Sequence, residues 1–181
     1  MIRAGLLLLA AAACARPGAE STPPPVPVAS DEAAGGAAIR QQPGEVLDLT
    51  VPLVDGGGLE LAALRGRVVV LELTSASAPT WPETFAFYNR LLRQHGSSRL
   101  AVVVVSVDPE RATLSPEPDL RGQGFELGWD PQGALAARLQ AAALPTAVVL
   151  DRAGRIVLVL AGAVPGSTRS LEDSVRDALA E

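Results

Sequence analysis

Leu144-Pro145-Thr146-Ala147-Val148-Val149-Leu150-Asp151-Arg152-Ala153-Gly154-Arg155-Ile156-Val157-Leu158-Val159-Leu160 is the stretch whose reading decides the fold. Two β-branched runs, Thr146 to Leu150 and Arg155 to Leu160, flank the turn-forming Asp151-Arg152-Ala153-Gly154, which predicts an antiparallel hairpin. Upstream, Pro131 to Ala143 carries Leu135 and Leu139 among alanines and predicts a helix that Leu144-Pro145-Thr146 interrupts, since proline cannot continue one. Downstream, Ser170-Leu171-Glu172-Asp173 opens a closing helix with Leu171, Val175 and Leu179 on one side.

Working outward, Val68 to Leu73 and Leu100 to Val107 are nearly continuous apolar runs rich in valine. Such runs suit strands covered on both faces, as in a parallel sheet. Between them, Phe85, Tyr88, Leu92 and His95 recur at helical spacing, Thr80 and Glu83 are spaced as a capping box, and Gly96 can take a left-handed stop. A strand, helix and strand of this length form a right-handed crossover. Earlier still, Leu47 to Val51 and Gly58 to Leu61 flank Asp55-Gly56-Gly57-Gly58 and predict a second hairpin, whose glycines supply positive φ angles. The expected class is α/β: a central mixed sheet flanked by helices, with an extra N-terminal hairpin.

The chain has 181 residues, enough for one domain with appendages. Its net charge is -5, so there is no basic excess to bind a polyphosphate, and nucleic acid is not an expected partner. Residues 1–13 read as an export signal: Arg3, a short apolar run, then small residues. The run falls short of the roughly 20 residues that cross a bilayer. Its Ala-Ala-Ala-Cys end resembles the lipobox of bacterial lipoproteins, which implies acylation of Cys14 and an envelope-anchored chain facing the periplasm. Cleavage after Ala11 to Ala13 is the alternative, leaving a soluble exported chain. Residues 14–43, rich in Pro, Gly and Ala, read as a flexible linker, and 44–181 as the folded domain. As a coil the linker would reach on the order of 30 Å.

The element order, with an X-Pro-Thr step before the last hairpin, resembles the thioredoxin fold, and the N-terminal hairpin resembles its TlpA/ResA and peroxiredoxin (AhpC/TSA-like) branch. Leu64-Arg65-Gly66-Arg67-Val68-Val69-Val70-Leu71 is similar to the family's lead into its first core strand. Leu144-Pro145-Thr146 with Leu150-Asp151-Arg152-Ala153-Gly154-Arg155-Ile156-Val157 is similar to its "lPttflID.dGrI" phrase. The resemblance implies that Pro145 is cis and faces the active site; the bland alternative is a trans proline that ends a helix. It also implies thiol-disulfide or peroxide chemistry, and there the sequence departs from the pattern. Leu71-Glu72-Leu73-Thr74-Ser75-Ala76-Ser77-Ala78-Pro79-Thr80-Trp81 lies where members read approximately "vNFWAsWCpPC". Ala78 stands at the attacking cysteine and Trp81 at the resolving one, with Pro79 and Thr80 between them. Cys14 is the chain's only cysteine. A methyl group has no lone pair to replace the thiolate that either reaction needs.

Ser75, Ser77 and Thr80 are hydroxyls without a base, because the single histidine, His95, should lie at the far end of the helix. No cofactor or metal is implied, since soft-metal ligands are missing. Glu72 interrupts a buried strand six residues before Ala78, where thioredoxins keep a buried acid. A solvated place at the sheet margin is the expectation; the sharper reading is a relic acid, buried and hydrogen-bonded. Trp81 either packs as a cap over the loop or lines a groove with Pro145 for an extended peptide. His95 and Trp129 read as structural. The functional expectation is a redox-inactive, envelope-tethered binding or scaffolding module for a peptide or envelope protein, with oligomeric state left open. An oxidoreductase by descent and a purely structural envelope lipoprotein are the alternatives.

Overall fold

A computed structural model describes residues 42–111, 114, 123–162 and 166–181. The export signal, Cys14 and nearly all of the linker lie outside these residues. Strands β1 (Thr50–Pro52) and β2 (Gly58–Glu60) pair antiparallel as the expected hairpin, with Gly56 and Gly57 at positive φ in its turn. A 3-10 turn over Leu61–Leu64 leads into β3 (Val68–Thr74), followed by α1 (Trp81–His95) and β4 (Leu100–Ser106). Then come β5 (Phe125–Trp129), α2 (Ala134–Arg138), β6 (Thr146–Leu150), β7 (Ile156–Ala161) and α3 (Ser167–Ala180). The five-stranded sheet has the order β5-β4-β3-β6-β7, parallel among the first three strands and antiparallel through the last two.

Every residue of β3 and β4 is buried, as their valine-rich runs require of central strands. Alternation sorts their side chains into two cores. Val68, Val70, Val102, Val104, Ala147 and Val149 face Phe85, Tyr88 and Leu91 of α1 and Leu171, Val175 and Leu179 of α3. Val69, Leu71, Leu73, Val103, Val105 and Val148 face Leu47, Leu49, Val51, Leu135 and Leu139. Full burial contributes about 1.5–3 kcal/mol for each such large apolar side chain, so a sheet covered on both faces needs no covalent staple.

Three sequence expectations are corrected. Strand β5 was missing from the predicted order, although Phe125, Leu127 and Trp129 alternate at strand spacing; the first two are buried against α1. Its Gly128 lies so close to Val51 and Pro52 that a Cβ would clash, which is how the N-terminal hairpin docks on this edge. The helix predicted over Pro131 to Ala143 is reduced to Ala134–Arg138. Asp130 fixes its start by accepting from the Leu135 and Ala136 amides at 2.9 and 3.0 Å, and Gln140 ends the segment at φ 50°. Leu135 and Leu139 are nonetheless both buried. The capping box is also absent: Thr80 is the N-cap of α1 but lies in the helical region, and its side chain caps nothing.

Candidate functional site

The loop between β3 and α1, residues 75–80, crosses the ends of β3 and β4 where parallel strands deliver their C-termini, the usual place for a site in an α/β sheet. Its shape is set by Asp108, two residues beyond β4. Ser75 Oγ and Ser77 Oγ both lie 2.7 Å from Asp108 Oδ1, while Ser106 Oγ and the Ala76 amide donate to Oδ2 at 2.6 and 2.5 Å. Ser75 and Ser77 are also 2.7 Å apart, and with one hydrogen each, donation to Oδ1 leaves none for that contact. Trp129 Nε1 anchors the Asp108 carbonyl at 2.8 Å. Burial alone would raise the Asp108 pKa; the hydrogen bonds from Ser106, Ser75, Ser77 and Ala76 outweigh it and bring the value down to about 2. Asp108 is therefore an anion at neutral pH that cross-links the loop to the sheet.

Within this loop Ala78 is half-buried, Pro79 and Thr80 are exposed, and Trp81 begins α1. The Trp81 ring packs on Phe85 at a centroid distance of 6.0 Å, and Phe85 in turn meets Phe125 edge-on at 5.0 Å. The Leu144–Pro145 peptide is cis. Pro145 lines a cleft of about 540 Å³ between α1, α3 and strands β6 and β7, which Thr80 of the loop also lines. Trp81 is not part of that lining. Of the two readings of Trp81, the groove shared with Pro145 does not form: Pro145 belongs to the cleft, and Trp81 packs on Phe85 at the helix start.

Glu72 corrects the expectation of a solvated margin. Its strand is central in the sheet, and alternation turns it to the same face as Val68 and Val70, where it is 6% exposed. Tyr88, one of the fully buried residues of α1, donates its hydroxyl to Glu72 Oε2. Burial raises the Glu72 pKa to about 7 against the opposing effect of this bond. The Tyr88 pKa is raised well above 10.0 by burial and by the neighbouring carboxyl. Both residues line the cleft that contains Pro145. A carboxyl at the floor of an accessible cleft, holding its proton near neutrality, is an acid that can donate or accept according to what enters.

His95 is the last residue of α1, roughly 21 Å from its first turn by helical rise, so it reaches none of the loop hydroxyls. Its Nε2 is buried without a hydrogen-bond partner among the described residues. No three His, Cys, Asp or Glu side chains come together as a metal site among them. Asp108 and Tyr88 were not singled out from the sequence as site residues. Ser75-x-Ser77 and Ser106-x-Asp108, following or ending adjacent parallel strands, are the signal that could have located the first.

A five-stranded mixed sheet with this order, a helix opening behind the β3 loop and a cis proline beside it define a thioredoxin-like fold. The model of the AhpC/TSA family matches residues 44–159, and the chain belongs to that family. Among solved structures, it is similar to one described as a thiol:disulfide interchange protein DsbE from Chlorobium tepidum, at 22% identity and TM-score 0.65 over 76% of this chain and 98% of that one. A protein described as a disulfide isomerase from Bacteroides thetaiotaomicron matches at 25% identity and TM-score 0.62, over 77% and 91%. The exposed lipoprotein thioredoxin of Streptococcus pneumoniae matches at 16% and 0.53, over 72% and 99%. Among curated proteins, none matches the sequence. No helix among the described residues is long and apolar enough to cross a membrane.

Proposed function

We propose that this chain is a redox-inactive member of its family, tethered to the cell envelope through a lipid on Cys14, facing the periplasm and binding an extended peptide or envelope protein beside Pro145. One observation carries the reading: the cleft at Pro145 is open, while the loop next to it holds Ala78 and Trp81 where the family's chemistry needs sulfur. Disulfide exchange begins with thiolate attack, and neither a methyl group nor an indole can perform it. The hydroxyls of Ser75 and Ser77 are committed to Asp108, whose lowered pKa makes its carboxylate too weak a base to activate them, so they are positioning groups for the loop. Tethering is supported by the lipobox-like end at Cys14, and by the fold's occurrence in an exposed lipoprotein of Streptococcus pneumoniae.

Two assays test this. The mature domain should reduce neither insulin nor peroxide, and turnover abolished by substitution of a residue within 44–181 would overturn redox inactivity. Immobilised domain should select extended peptides from a random library, and Thr84→Trp, which fills the cleft from α1, should release them. Selection that survives the filled cleft would place binding elsewhere.

A further inference from the structure

The cleft has apolar walls and an acid at its floor, a combination that peptide backbone binding alone leaves unused. We propose that it is a specificity pocket for a long basic side chain, a lysine ammonium or arginine guanidinium, whose terminal cation seats against Glu72. This deepens the peptide-binding reading and rests on it. At about 540 Å³ the cleft falls in the size range of small-molecule sites. Phe87, Ala147, Leu160 and Leu171 line it, and such walls suit the methylene stem that lysine and arginine carry beneath their charge. Pro145 lines the same cleft, so a peptide held beside it lies within reach of this pocket.

The charges around the cleft favour a cation. Helix α1 contributes Tyr88 at the floor and Glu83 and Arg90 to the lining; β6 and β7 contribute no titratable lining residue, and α3 contributes the hydroxyl residues Ser167 and Thr168. Arg90 lies 5.3 Å over the Phe87 ring and 3.5 Å from Glu172, so its charge is countered outside the pocket. Glu83 is exposed, so Glu72 sets the sign of the interior. An incoming cation stabilises ionised Glu72, so binding should release the proton that burial makes the carboxyl retain up to about pH 7.

The probe is n-hexylammonium against 1-hexanol, of equal chain length, titrated into the mature domain and followed by the amide shifts of Thr84, Ala147 and Leu160. At pH 8 the ammonium should bind at least about tenfold more tightly than the alcohol, as a charge-assisted hydrogen bond requires. Its affinity should fall about tenfold between pH 8 and pH 6 while that of the alcohol stays level. Glu72→Gln should bring the two ligands to equal affinity, and Thr84→Trp should exclude both. Equal binding by the wild-type domain, a level pH profile for the ammonium, or no binding at all would overturn the proposal without reliance on any variant. A peptide that binds equally with lysine or norleucine overturns it too and leaves the peptide reading standing; failure of every peptide overturns both.

Discussion

Two carboxylates on the same sheet have opposite fates. Asp108, just past β4, is met by three serine hydroxyls and a backbone amide; Glu72, in the middle of β3, is met by one phenol. Both are 6% exposed, but Glu72 lies much deeper in the protein than Asp108, so depth and the number of donors together separate them. Hydrogen bonds to the charged form lower the Asp108 pKa to about 2 despite its burial, whereas a single bond leaves burial dominant at Glu72 and the value at about 7. One acid is a fixed anion that shapes a loop, and the other is a proton-holding group at the floor of a cleft.

The contrast can be broken most severely at Asp108. Asp108→Ala leaves the buried Ala76 amide and Ser106 hydroxyl without their acceptor, and should lower stability in urea by about 4 kcal/mol at pH 7. Asp108→Asn, which keeps an acceptor, should lose less. Next in size is the ionisation of Glu72. Its folded pKa is raised from 4.5 to about 7, so the folded state holds the proton more tightly, and the stability present below about pH 4.5 is lost as pH rises through 7. Glu72→Gln keeps an acceptor for Tyr88 but cannot ionise. It should therefore exceed wild type by about 3 kcal/mol at pH 8 and match it near pH 4, as read from urea midpoints.

Asp108 gives the mirror image at lower pH. Its folded pKa is depressed from 3.8 to about 2, so its contribution is fully present above pH 4 and is lost as pH falls toward 2, by about 2 kcal/mol in acid titration. The smallest effect is expected from Tyr88→Phe. Loss of the phenol's hydrogen bond removes the influence that lowers the Glu72 pKa, so the carboxyl's titration, followed by carbon NMR, should move upward, at a cost of about 1 kcal/mol in stability. A downward movement would mean that Tyr88 opposes the charge and that the contrast between the two acids is wrongly drawn.

Much of the architecture was legible because its signals are local. The valine runs of β3 and β4, the hairpin around Asp151 to Gly154 and the apolar stripe of α3 each carry their period in a few adjacent residues. Strand β5 was within reach of the same reasoning, through the alternation of Phe125, Leu127 and Trp129. The short α2 was not, because Asp130 and Gln140 set its ends through a cap and a left-handed residue that alanine-rich periodicity does not announce. At the site, the positions of Ala78, Trp81 and Pro145 could be assigned from phrases of sequence. Which of the two readings of Trp81 holds could not, since its packing on Phe85 rather than beside Pro145 depends on tertiary contacts.

By itself, the sequence determined that the chain carries a single cysteine at position 14, that sulfur is missing from the loop before α1, and that the folded part is a sheet with helices. These follow from composition and from periodicities that need no distant partner. Only the tertiary structure decided what the two acids are. The acidity of a carboxyl depends on the donors and the dielectric around it, and for Glu72 and Asp108 these come from residues as many as 16 and 33 positions away, brought together by the packing of α1 on the sheet and by the pairing of β3 with β4.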